Sequence, residues 1–449
     1  MADKLFGTDG VRGIANEAPL NIQFCIRLAD ILSLHFCTQK HKVAIARDTR
    51  ISGQMLFSAL AAGFTAQGVD VIDLGVIPTP LCTTLTPQLD VDMALMITAS
   101  HNPYRDNGIK LINAEGDKFS DEQTEFLENI LQDANYTFSY DSHKIGTIII
   151  KNDCADEYFS TISKICSANS LKGMKIALDS ANGSFSEIMP QVFRFLGAEI
   201  ISIAAEPNGY NINENCGSQH TETLSRTIVE NCCSMGIAVD GDGDRIIICD
   251  ENGRRLDGDQ IIAYLATYLQ KHHLLKGNAV VSTVCSNLGL EKYIRSLGLT
   301  HYATAVGERY VIAKMHETGC NLGGEESGHM VLSDYTRTGD ALLAAVVVCL
   351  GIFENKHKVS EIFPIFQPFP HESRNLRFDN KNIINQIMEA AEVQNAIAQI
   401  KQNLSGHGTI LVRKSGTEPV LRLKIEDENA EVATQNMAYL LQIIEKYTK

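Results

Sequence analysis

The chain has 449 residues, of which 44% are hydrophobic and 21% charged, and its 39 basic and 54 acidic residues give a formal net charge of -15. A length of about 100 to 200 residues per domain predicts three or four domains, and the ordinary composition argues against a disordered protein. The acidic balance argues against nucleic acid and anionic lipid as partners, the N-terminus has no apolar signal core, and the 12 cysteines form no CxxC pair. We therefore expect a cytoplasmic protein with reduced thiols that neither spans a membrane nor binds nucleic acid.

Strand-like and helix-like runs alternate from residue 42 onwards, which is typical of α/β layers. In the first unit we predict a helix and four strands, at 54–67 and at 42–46, 69–74, 93–97 and 146–150. A second unit begins near residue 150, with helices at 154–166 and 185–196 and strands at 174–178, 198–203, 236–239 and 245–249. The third unit is predicted to contain helices at 260–269 and 288–296 and strands at 279–284 and 300–306.

A proline-containing stretch at 363–370 separates the last part of the chain. That part is predicted to be a small α+β unit, with strands at 373–378, 409–412 and 420–425, a long helix at 383–401 and a final helix at 430–447. These patterns predict four domains, at 1–150, 151–250, 251–366 and 367–449.

Three aspartates alternate with glycines in Asp240-Gly-Asp242-Gly-Asp244-Arg245, between two strand-like runs. Carboxylates held about 5 Å apart repel by roughly 3 kcal/mol per pair at an effective dielectric constant of 20, and a divalent cation would relieve that cost. Hard oxygen ligands suit Mg²⁺ or Ca²⁺. An EF-hand is disfavoured because Arg245 stands where that loop needs glycine, and a solvated acidic turn is the remaining alternative.

Ser100 lies in Thr98-Ala-Ser-His-Asn-Pro103, directly after the apolar strand at 93–97. Loops at the carboxyl ends of strands are where α/β proteins place their chemistry, so Ser100 is a candidate nucleophile. A serine hydrolase is the weaker interpretation, because the chain has no G-x-S-x-G elbow and no identifiable third triad member. A plain turn built by serine, asparagine and proline stays open on this segment alone.

Arg413-Lys-Ser415-Gly416-Thr417-Glu-Pro419 and the nearby Arg422 concentrate positive charge, hydroxyls and a glycine in an otherwise acidic chain. Arginine binds phosphate through paired hydrogen bonds, so this segment predicts a phosphate site, with a solvated basic turn as the alternative. The segment 323–329, which we expect to be a flexible loop, contains Glu325, Ser327 and His329 and is suited to sugar hydroxyls or proton transfer. No Walker A or Rossmann glycine motif is present, so a nucleotide is not implied.

In this order, five segments of the chain resemble the α-D-phosphohexomutase family: 6–13 (FGTDGVRG), 98–103, 240–245, 323–329 and 413–419. The stretches 6–13, 211–218, 256–260 and 286–290 are most similar to the bacterial members that act on glucosamine phosphates. The resemblance implies an α/β fold of three βα-rich domains plus a C-terminal α+β domain around a central cleft. Each domain would contribute one loop: the phosphoserine, metal, sugar and phosphate loops, in chain order.

The resemblance also implies roles for individual residues. Ser100 would be the phosphoserine, and Mg²⁺ would be held by Asp240, Asp242 and Asp244 together with the serine phosphate. Arg245 would brace the metal loop or phosphate, while Glu325 and Ser327 would hold sugar hydroxyls. The non-reacting phosphate would be bound by Arg413, Ser415, Gly416, Thr417 and Arg422. The reaction centre would be lined by Arg12, His101, Lys110 and His329.

The implied enzyme is an isomerase that interconverts glucosamine 6-phosphate and glucosamine 1-phosphate, with glucosamine or glucose 1,6-bisphosphate as intermediate or activator, feeding UDP-N-acetylglucosamine and cell-wall precursor synthesis. Reorientation of the bisphosphate predicts that the domain after residue 367 is a mobile lid. A homodimer is left open. The alternatives are a mutase for mannose or glucose phosphates, a phosphatase that hydrolyses the phosphoserine, and a non-catalytic interaction protein on this scaffold.

A few residues depart from the family pattern, namely Glu326, Glu308, Asn208 and Ala341. None of them is a proposed ligand. Glu326 adds a negative charge beside the sugar loop, which would favour an aminated sugar if the side chain does not face solvent.

Overall fold

Four separate β-sheets follow one another along the chain, in a computed structural model that describes residues 5–7, 9–414 and 419–447. Each sheet is formed by one consecutive stretch of sequence. The first three sheets are mixed, and the fourth is antiparallel. Polar turns at the ends of the strands therefore come from four units.

Within residues 5–7 and 9–150, the first unit has six strands and four helices. They are β1 (Val11–Ile14), α1 (Ile22–His35), β2 (Lys42–Arg47), α2 (Gly53–Ala66), β3 (Asp70–Val76), α3 (Thr79–Leu85), β4 (Met93–Ile97), β5 (Asp106–Asn113), α4 (Asp121–Leu131) and β6 (Ile148–Ile150). The strand order is β1-β5-β4-β2-β3-β6, with β4, β2, β3 and β6 parallel. Every residue of β4 is buried, because helices cover both faces of the sheet at its centre.

The second unit contains five strands and three helices. They are α5 (Ala155–Ile165), β7 (Lys175–Asp179), α6 (Ile188–Phe195), β8 (Glu199–Ile203), α7 (Glu222–Glu230), β9 (Met235–Val239), β10 (Ile246–Cys249) and β11 (Arg255–Leu256). The strand order is β11-β10-β9-β7-β8, and β9 and β10 form an antiparallel hairpin. The acidic segment is the turn of that hairpin.

The third unit contains four strands and five helices. They are α8 (Gly258–Lys271), β12 (Ala279–Thr283), α9 (Leu288–Ser296), β13 (Thr300–Thr304), α10 (Glu308–Thr318), β14 (Leu322–Gly324), β15 (Met330–Leu332), α11 (Ala341–Asn355) and α12 (Val359–Ile362). The strand order is β13-β12-β14-β15. The expected flexible loop at 323–329 is wrong in part, because Gly323 and Gly324 belong to β14 and the rest is the turn to β15.

The fourth unit is a three-stranded antiparallel sheet with helices. Its elements are β16 (His371–Arg377), α13 (Lys381–Glu389), α14 (Ala391–Asn403), β17 (Gly408–Lys414), β18 (Val420–Asp427) and α15 (Ala430–Ile444). The single helix predicted at 383–401 is wrong: the backbone of Ala390 is extended, with φ -66° and ψ 123°, and divides it in two. Alanine is a strong helix former, so the local sequence gives no signal for this break.

The apolar core divides differently from the sheets. One continuous cluster joins residues of the first three units, including Met96, Ile176 and Leu343, while the face of the first sheet that α1, α2 and α4 cover has a second cluster. The fourth unit has a core of its own, built around residues such as Leu423 and Leu440. The first three units therefore share buried surface, and the apolar core of the fourth unit is separate from theirs.

Helix α11 is the central helix of the shared core. Its residues from Ala341 to Ile352 are all buried, and Asp340 caps its first turn by accepting hydrogen bonds from the backbone N-H groups of Leu342 and Leu343. A helix that is apolar on all sides is expected to be buried in this way. In the described part of the chain, no helix has both the length and the apolar character of a membrane span.

Candidate active site

Ser100 lies on the turn that follows β4. Its backbone has a left-handed φ of +51°, a conformation that costs a non-glycine residue about 1–2 kcal/mol. The side chain is buried, and its Oγ donates a hydrogen bond to Oδ2 of Asp240 at 2.6 Å. The serine turn and the acidic turn, which the sequence analysis treated separately, therefore meet at one point.

The three aspartates of the acidic turn are buried and converge. One carboxylate oxygen from each of Asp240, Asp242 and Asp244 lies within 4.8 Å of the other two. Among the described residues, Oδ1 of Asp242 and Oδ1 of Asp244 have no hydrogen-bond partner although both atoms are buried. Orphaned carboxylate oxygens of this kind suit a hard divalent cation, so the residues fit a metal ion such as Mg²⁺.

Two glycines let the acidic turn approach its neighbours. A Cβ on Gly241 would lie 2.8 Å from the carbonyl oxygen of Ser100, and Gly243 has a φ of +77° and faces the ring of Phe185. A side chain at either position would push the acidic turn away from the elements that it contacts. The glycines thus bring the carboxylates to the serine.

Lys110 of β5 points into the same cluster, and its side chain is only 2% exposed. Its Nζ lies 2.7 Å from Oδ2 of Asp242 and 3.0 Å from Oδ2 of Asp244, and 3.5 Å from Oδ2 of Asp9. Burial alone would lower the pKa of this lysine, but the carboxylates of Asp242, Asp244 and Asp9 raise it well above its usual value. The ammonium therefore remains charged and offsets part of the repulsion within the acidic turn.

The pKa values of two aspartates shift in opposite directions. Burial raises the pKa of Asp240 well above its ordinary value, and the carboxylates of Asp244 and Asp242 raise it further. Burial alone would also raise the pKa of Asp244, but Lys110 and His329 hold it well below the ordinary value. Without a metal ion, Asp240 therefore keeps a proton more readily than Asp244.

His101 is the second neighbour of the serine hydroxyl, with Nδ1 at 3.2 Å from Ser100 Oγ. Burial and the positive charges of Arg245 and Arg12 lower the pKa of His101 to about 4. The imidazole is therefore neutral near pH 7 and is able to accept a proton.

His329 has the opposite character. Its Nε2 lies 2.9 Å from Oε1 of Glu308, and its Nδ1 lies 3.7 Å from Oδ1 of Asp244. Burial alone would lower the pKa of His329, but Glu308 and Asp244 raise it to about 10. This histidine is therefore a buried cation near pH 7, suited to stabilising negative charge rather than to accepting a proton.

The turn between β14 and β15 contacts the acidic turn through the backbone. Arg245 and His329 form an antiparallel backbone bridge, and the N-H of Ile246 donates to the carbonyl of Gly328 at 2.9 Å. On this turn, Glu325 accepts hydrogen bonds from the N-H of Gly307 at 3.0 Å and from its neighbour Ser327 at 3.3 Å. The turn between β14 and β15 thus holds Glu325 and Ser327 beside the acidic turn.

Glu326, which the sequence suggested could favour an aminated sugar, pairs with a lysine of the fourth unit. Its Oε2 lies 3.3 Å from Nζ of Lys424, which also lies 2.7 Å from Oε1 of Glu426 and donates to the carbonyl of Cys285 at 2.6 Å. Lys424 belongs to β18, so these polar contacts join the fourth unit to the third. A carboxylate already paired with a lysine is a weak attractant for the amine of a sugar.

Arg12 of β1 lies beside the serine turn, and its guanidinium contacts the carbonyl of Ala99 at 3.4 Å and the carboxylate of Asp9 at 2.5 Å. Asp9 also pairs with Lys118 at 2.5 Å. The carboxylate of Glu308 pairs with Lys118 as well, so a chain of ion pairs runs from Arg12 to His329. Arg12, His101, Lys110 and His329 are thus brought to one centre.

Arg413 and Arg422 face each other on the neighbouring strands β17 and β18. Like charges directly opposite in a sheet are destabilising, and an anion bound between them would remove that cost. Ser415, Gly416 and Thr417, the other residues predicted for the phosphate loop, lie outside the described residues.

Several site residues were missed by sequence reasoning. Asp9 and Lys118 were not singled out, and Glu308 was noted only as a departure from a family pattern. Arg50 and Asn213 were given no individual role, although both donate hydrogen bonds to carbonyls of the serine turn. Only the folded structure reveals these roles, because each depends on contacts between elements that are far apart in the sequence.

Models of the phosphoglucomutase/phosphomannomutase α/β/α domains I, II and III match residues 3–137, 156–253 and 257–369, and the C-terminal domain model matches 375–441. The chain belongs to the phosphoglucomutase/phosphomannomutase family. Relatives named phosphoglucosamine mutase include one from Paramagnetospirillum magneticum, 40% identical over 99% of both chains, and one from Zymomonas mobilis, 39% identical over 99% of this chain and 100% of the relative. Membership of this family confirms the predicted resemblance, the α/β fold and the isomerase class.

Solved structures of the family share the fold. A phosphoglucomutase/phosphomannomutase family protein from Burkholderia thailandensis has a TM-score of 0.82 at 22% identity, over 100% of this chain and 98% of that one. An Aspergillus fumigatus N-acetylphosphoglucosamine mutase, solved with GlcNAc-6P and magnesium, has a TM-score of 0.66 at 14% identity, over 100% of this chain and 96% of that one. At these identities the likeness establishes the four-domain architecture.

Proposed function

We propose that this family member interconverts glucosamine 6-phosphate and glucosamine 1-phosphate, with Ser100 as the phosphate carrier. The observation that carries the proposal is the 2.6 Å hydrogen bond between Ser100 Oγ and Asp240, inside a buried cluster of carboxylates and cations. The choice of sugar rests on the full-length relatives named phosphoglucosamine mutase. The product would feed synthesis of UDP-N-acetylglucosamine and cell-wall precursors.

Asp240, Asp242 and Asp244, together with the phosphate on Ser100, would hold Mg²⁺, and the ion would supply positive charge to the phosphoryl oxygens. The chain's own cations would add to that charge. Lys110 and Arg245 lie against the acidic turn, and the protonated His329 lies behind it. Phosphoryl transfer passes through a loose transition state in which positioning and charge supply most of the catalysis, so this set of groups is sufficient.

In the first half-reaction, O1 of the sugar 6-phosphate attacks the phosphorus on Ser100. The bond from phosphorus to O1 forms as the bond from phosphorus to Oγ breaks, and the proton lost by O1 is balanced by the proton gained by Oγ. The resulting serine hydroxyl is the one that donates to Asp240 in the structure. In the second half-reaction, Oγ attacks the phosphorus on O6, and the bond from phosphorus to Oγ forms as the bond from phosphorus to O6 breaks. The proton lost by Oγ is balanced by the proton gained by O6, and Asp240 and the neutral His101 are acceptors within reach of the Oγ proton.

Between the two half-reactions, glucosamine 1,6-bisphosphate must turn around. The distal phosphate site must therefore accept either phosphate, and we assign it to Arg413 and Arg422 with Ser415, Gly416 and Thr417. Glu325 and Ser327 are the candidates for binding sugar hydroxyls. The same bisphosphate, or its glucose analogue, would supply phosphate to an unphosphorylated Ser100.

The turn-around also requires the fourth unit to loosen and close. Two observations support this motion: the fourth unit has a separate apolar core, and Lys424 joins it to the third unit by polar contacts. The domain boundaries at residues 150, 250 and 366 belong to the same proposal. The cytoplasmic location, the lack of nucleic-acid and membrane partners, and a homodimer remain predictions.

The test measures formation of the 1-phosphate from the 6-phosphates of glucosamine, glucose and mannose, with MgCl₂ and a trace of hexose 1,6-bisphosphate. We expect glucosamine 6-phosphate to be converted fastest and Ser100→Ala to abolish the conversion. A faster reaction with glucose or mannose phosphate would overturn the choice of sugar but not the mechanism. Equal activity of Ser100→Ala and wild type would overturn the mechanism, and release of inorganic phosphate as the main product would indicate a phosphatase.

A further inference from the structure

The serine turn is held by side chains from two different domains. From the first unit, Nη2 of Arg50 donates to the carbonyl oxygens of Ser100 and Asn102 at 2.9 and 2.8 Å. From the second unit, Nδ2 of Asn213 donates to the same two carbonyls at 2.9 and 3.0 Å. Each carbonyl therefore accepts two hydrogen bonds, and the turn is fixed from both sides.

Arg50 is itself fixed within the first unit. Its Nε pairs with Asp48 at 2.9 Å, and both side chains are fully buried. Asp48 also accepts a hydrogen bond from the hydroxyl of Thr98, which in turn accepts one from the backbone N-H of Ser100 at 2.9 Å. The support from the first unit therefore travels with the serine turn as one body.

Asn213 differs because it belongs to the unit that carries the acidic turn. Its backbone N-H donates to the carbonyl of Ala181, the residue two positions after β7. A Cβ on Gly241 would lie 2.8 Å from Nδ2 of Asn213 and 2.8 Å from the carbonyl oxygen of Ser100. The amide of Asn213 thus occupies the point where the serine turn and the acidic turn touch.

We propose that Asn213 is a positioning residue for phosphoryl transfer, one that fixes Ser100 relative to the carboxylates of the second unit. The inference rests on the proposed function and deepens it. Ser100 loses a phosphate in the first half-reaction and regains one in the second. Its Oγ must therefore have the same position relative to the acidic turn in both. A shift of about 1 Å in a reacting group is enough to cost roughly 100-fold in rate.

The chemistry of the side chain matters as well as its shape. An amide nitrogen can donate to both carbonyls at once, whereas an aspartate of the same shape would direct a carboxylate oxygen at two carbonyl oxygens. Asn213→Asp is therefore expected to displace the serine turn, and Asn213→Ala to release it. Both variants leave the sequence of Ser100, the acidic turn and the turn between β14 and β15 unchanged.

The matched control is Asn211→Ala. Asn211 lies on the same segment, and its side chain donates to the carbonyl of Glu206 at 3.0 Å and accepts from the N-H of Asn208 at 3.0 Å. Neither bond reaches the serine turn. The control therefore separates loosening of the segment from loss of the contact with Ser100. Because Asn213 has a left-handed φ of +57°, which aspartate tolerates better than alanine, Asn213→Asp is the variant to compare with this control.

Three readouts test the proposal on the full chain with MgCl₂: kcat and KM for glucosamine 6-phosphate, inorganic phosphate released per turnover, and hydrogen exchange of the backbone amides at 98–104. We expect both Asn213 variants to lose about 10- to 100-fold in kcat with KM within about twofold of wild type. Phosphate release should rise, because a displaced phosphoserine is open to water, and the amides should exchange faster. Asn211→Ala should stay within about twofold of wild type in all three readouts.

The proposal is overturned if kcat of Asn213→Asp lies within about twofold of Asn211→Ala. The comparison requires folded variants, so melting temperatures are measured in parallel. If Asn213→Ala does not fold, Asn213→Asp, which keeps the shape of the side chain, is used alone. If the wild type converts none of the sugar phosphates, the proposed function fails, while hydrogen exchange still shows whether Asn213 fixes the serine turn. Unchanged exchange at 98–104 in both Asn213 variants would refute the positioning role without reference to activity.

Discussion

Replacing Lys110 by methionine should destabilise the metal-free protein strongly. The ammonium lies 2.7 and 3.0 Å from carboxylate oxygens of Asp242 and Asp244, and all three side chains are at most 5% exposed. Removing one partner of a buried ion pair typically costs about 3–5 kcal/mol, because the other charge is left without compensation. At about 2–4 °C per kcal/mol for a unit of this size, the melting temperature should fall by about 6–20 °C in EDTA.

A divalent cation should reverse much of this loss. With Lys110 gone, the acidic turn carries a larger excess of negative charge, so bound Mg²⁺ relieves more repulsion than in wild type. Binding to the folded state stabilises the protein by mass action. The rise in melting temperature from EDTA to millimolar MgCl₂ should therefore be larger in Lys110→Met than in wild type. Methionine is chosen because it keeps an unbranched apolar stem in the buried position.

The matched control is Lys118→Met. Lys118 is another largely buried lysine of the site, but it pairs with Asp9 and Glu308 and not with the acidic turn. It should lose stability in EDTA without gaining extra stabilisation from MgCl₂. The reasoning is refuted if Lys110→Met melts within about 2 °C of wild type in EDTA, or if MgCl₂ raises both variants equally.

Three further changes have defined outcomes. Gly241→Ala should reduce kcat by about 10- to 100-fold in a folded protein, because the new methyl group meets the carbonyl of Ser100 at 2.8 Å; wild-type kcat would contradict this. Burial raises the pKa of Asp340 to about 7, so the folded protein holds an extra proton between about pH 4 and pH 7 and loses stability as pH rises through that window. Asp340→Asn keeps an acceptor for the helix cap but does not titrate. The melting temperature of this variant minus that of wild type should therefore rise from about pH 5 to pH 8, and a constant difference would contradict the raised pKa of Asp340. Lys424→Met should free Glu326 and speed limited proteolysis at 363–370 several-fold, whereas an unchanged rate would show that Lys424 does not restrain the fourth unit.

Periodicity in the sequence identified some of the buried elements but missed others, among them α1, β5 and α11. The strand at 93–97 and the helix at 288–296 have the predicted bounds, because an apolar run between turn residues is easily recognised. Elements whose residues are small or polar were missed, such as β14 with its two glycines and α10 with its charged surface. The break at Ala390 was also missed, since alanine is a strong helix former and gives no local signal for it.

The candidate site was predictable where its chemistry is local in sequence. Alternating aspartates, a serine after a buried strand and clustered arginines each indicate a function within a few residues. The support of these groups is non-local: Glu308 meets His329 from 21 positions away in the chain, and Asn213 reaches Ser100 across 113 residues. A spacing pattern cannot show such pairs, and a single sequence offers no second source of information about them.

The chain and a sugar phosphate are both negatively charged, so binding depends on where the positive side chains of the protein lack a carboxylate partner. At the reaction centre, Arg12, Lys110 and Lys118 each have a carboxylate partner, so these charges largely cancel and give the site little attraction for an anion by themselves. The cross-strand pair Arg413 and Arg422 has the opposite arrangement, with like charges facing each other. A sugar phosphate should therefore be attracted first by the fourth unit and delivered to the serine when that unit closes, which gives the domain with its own core a reason to move.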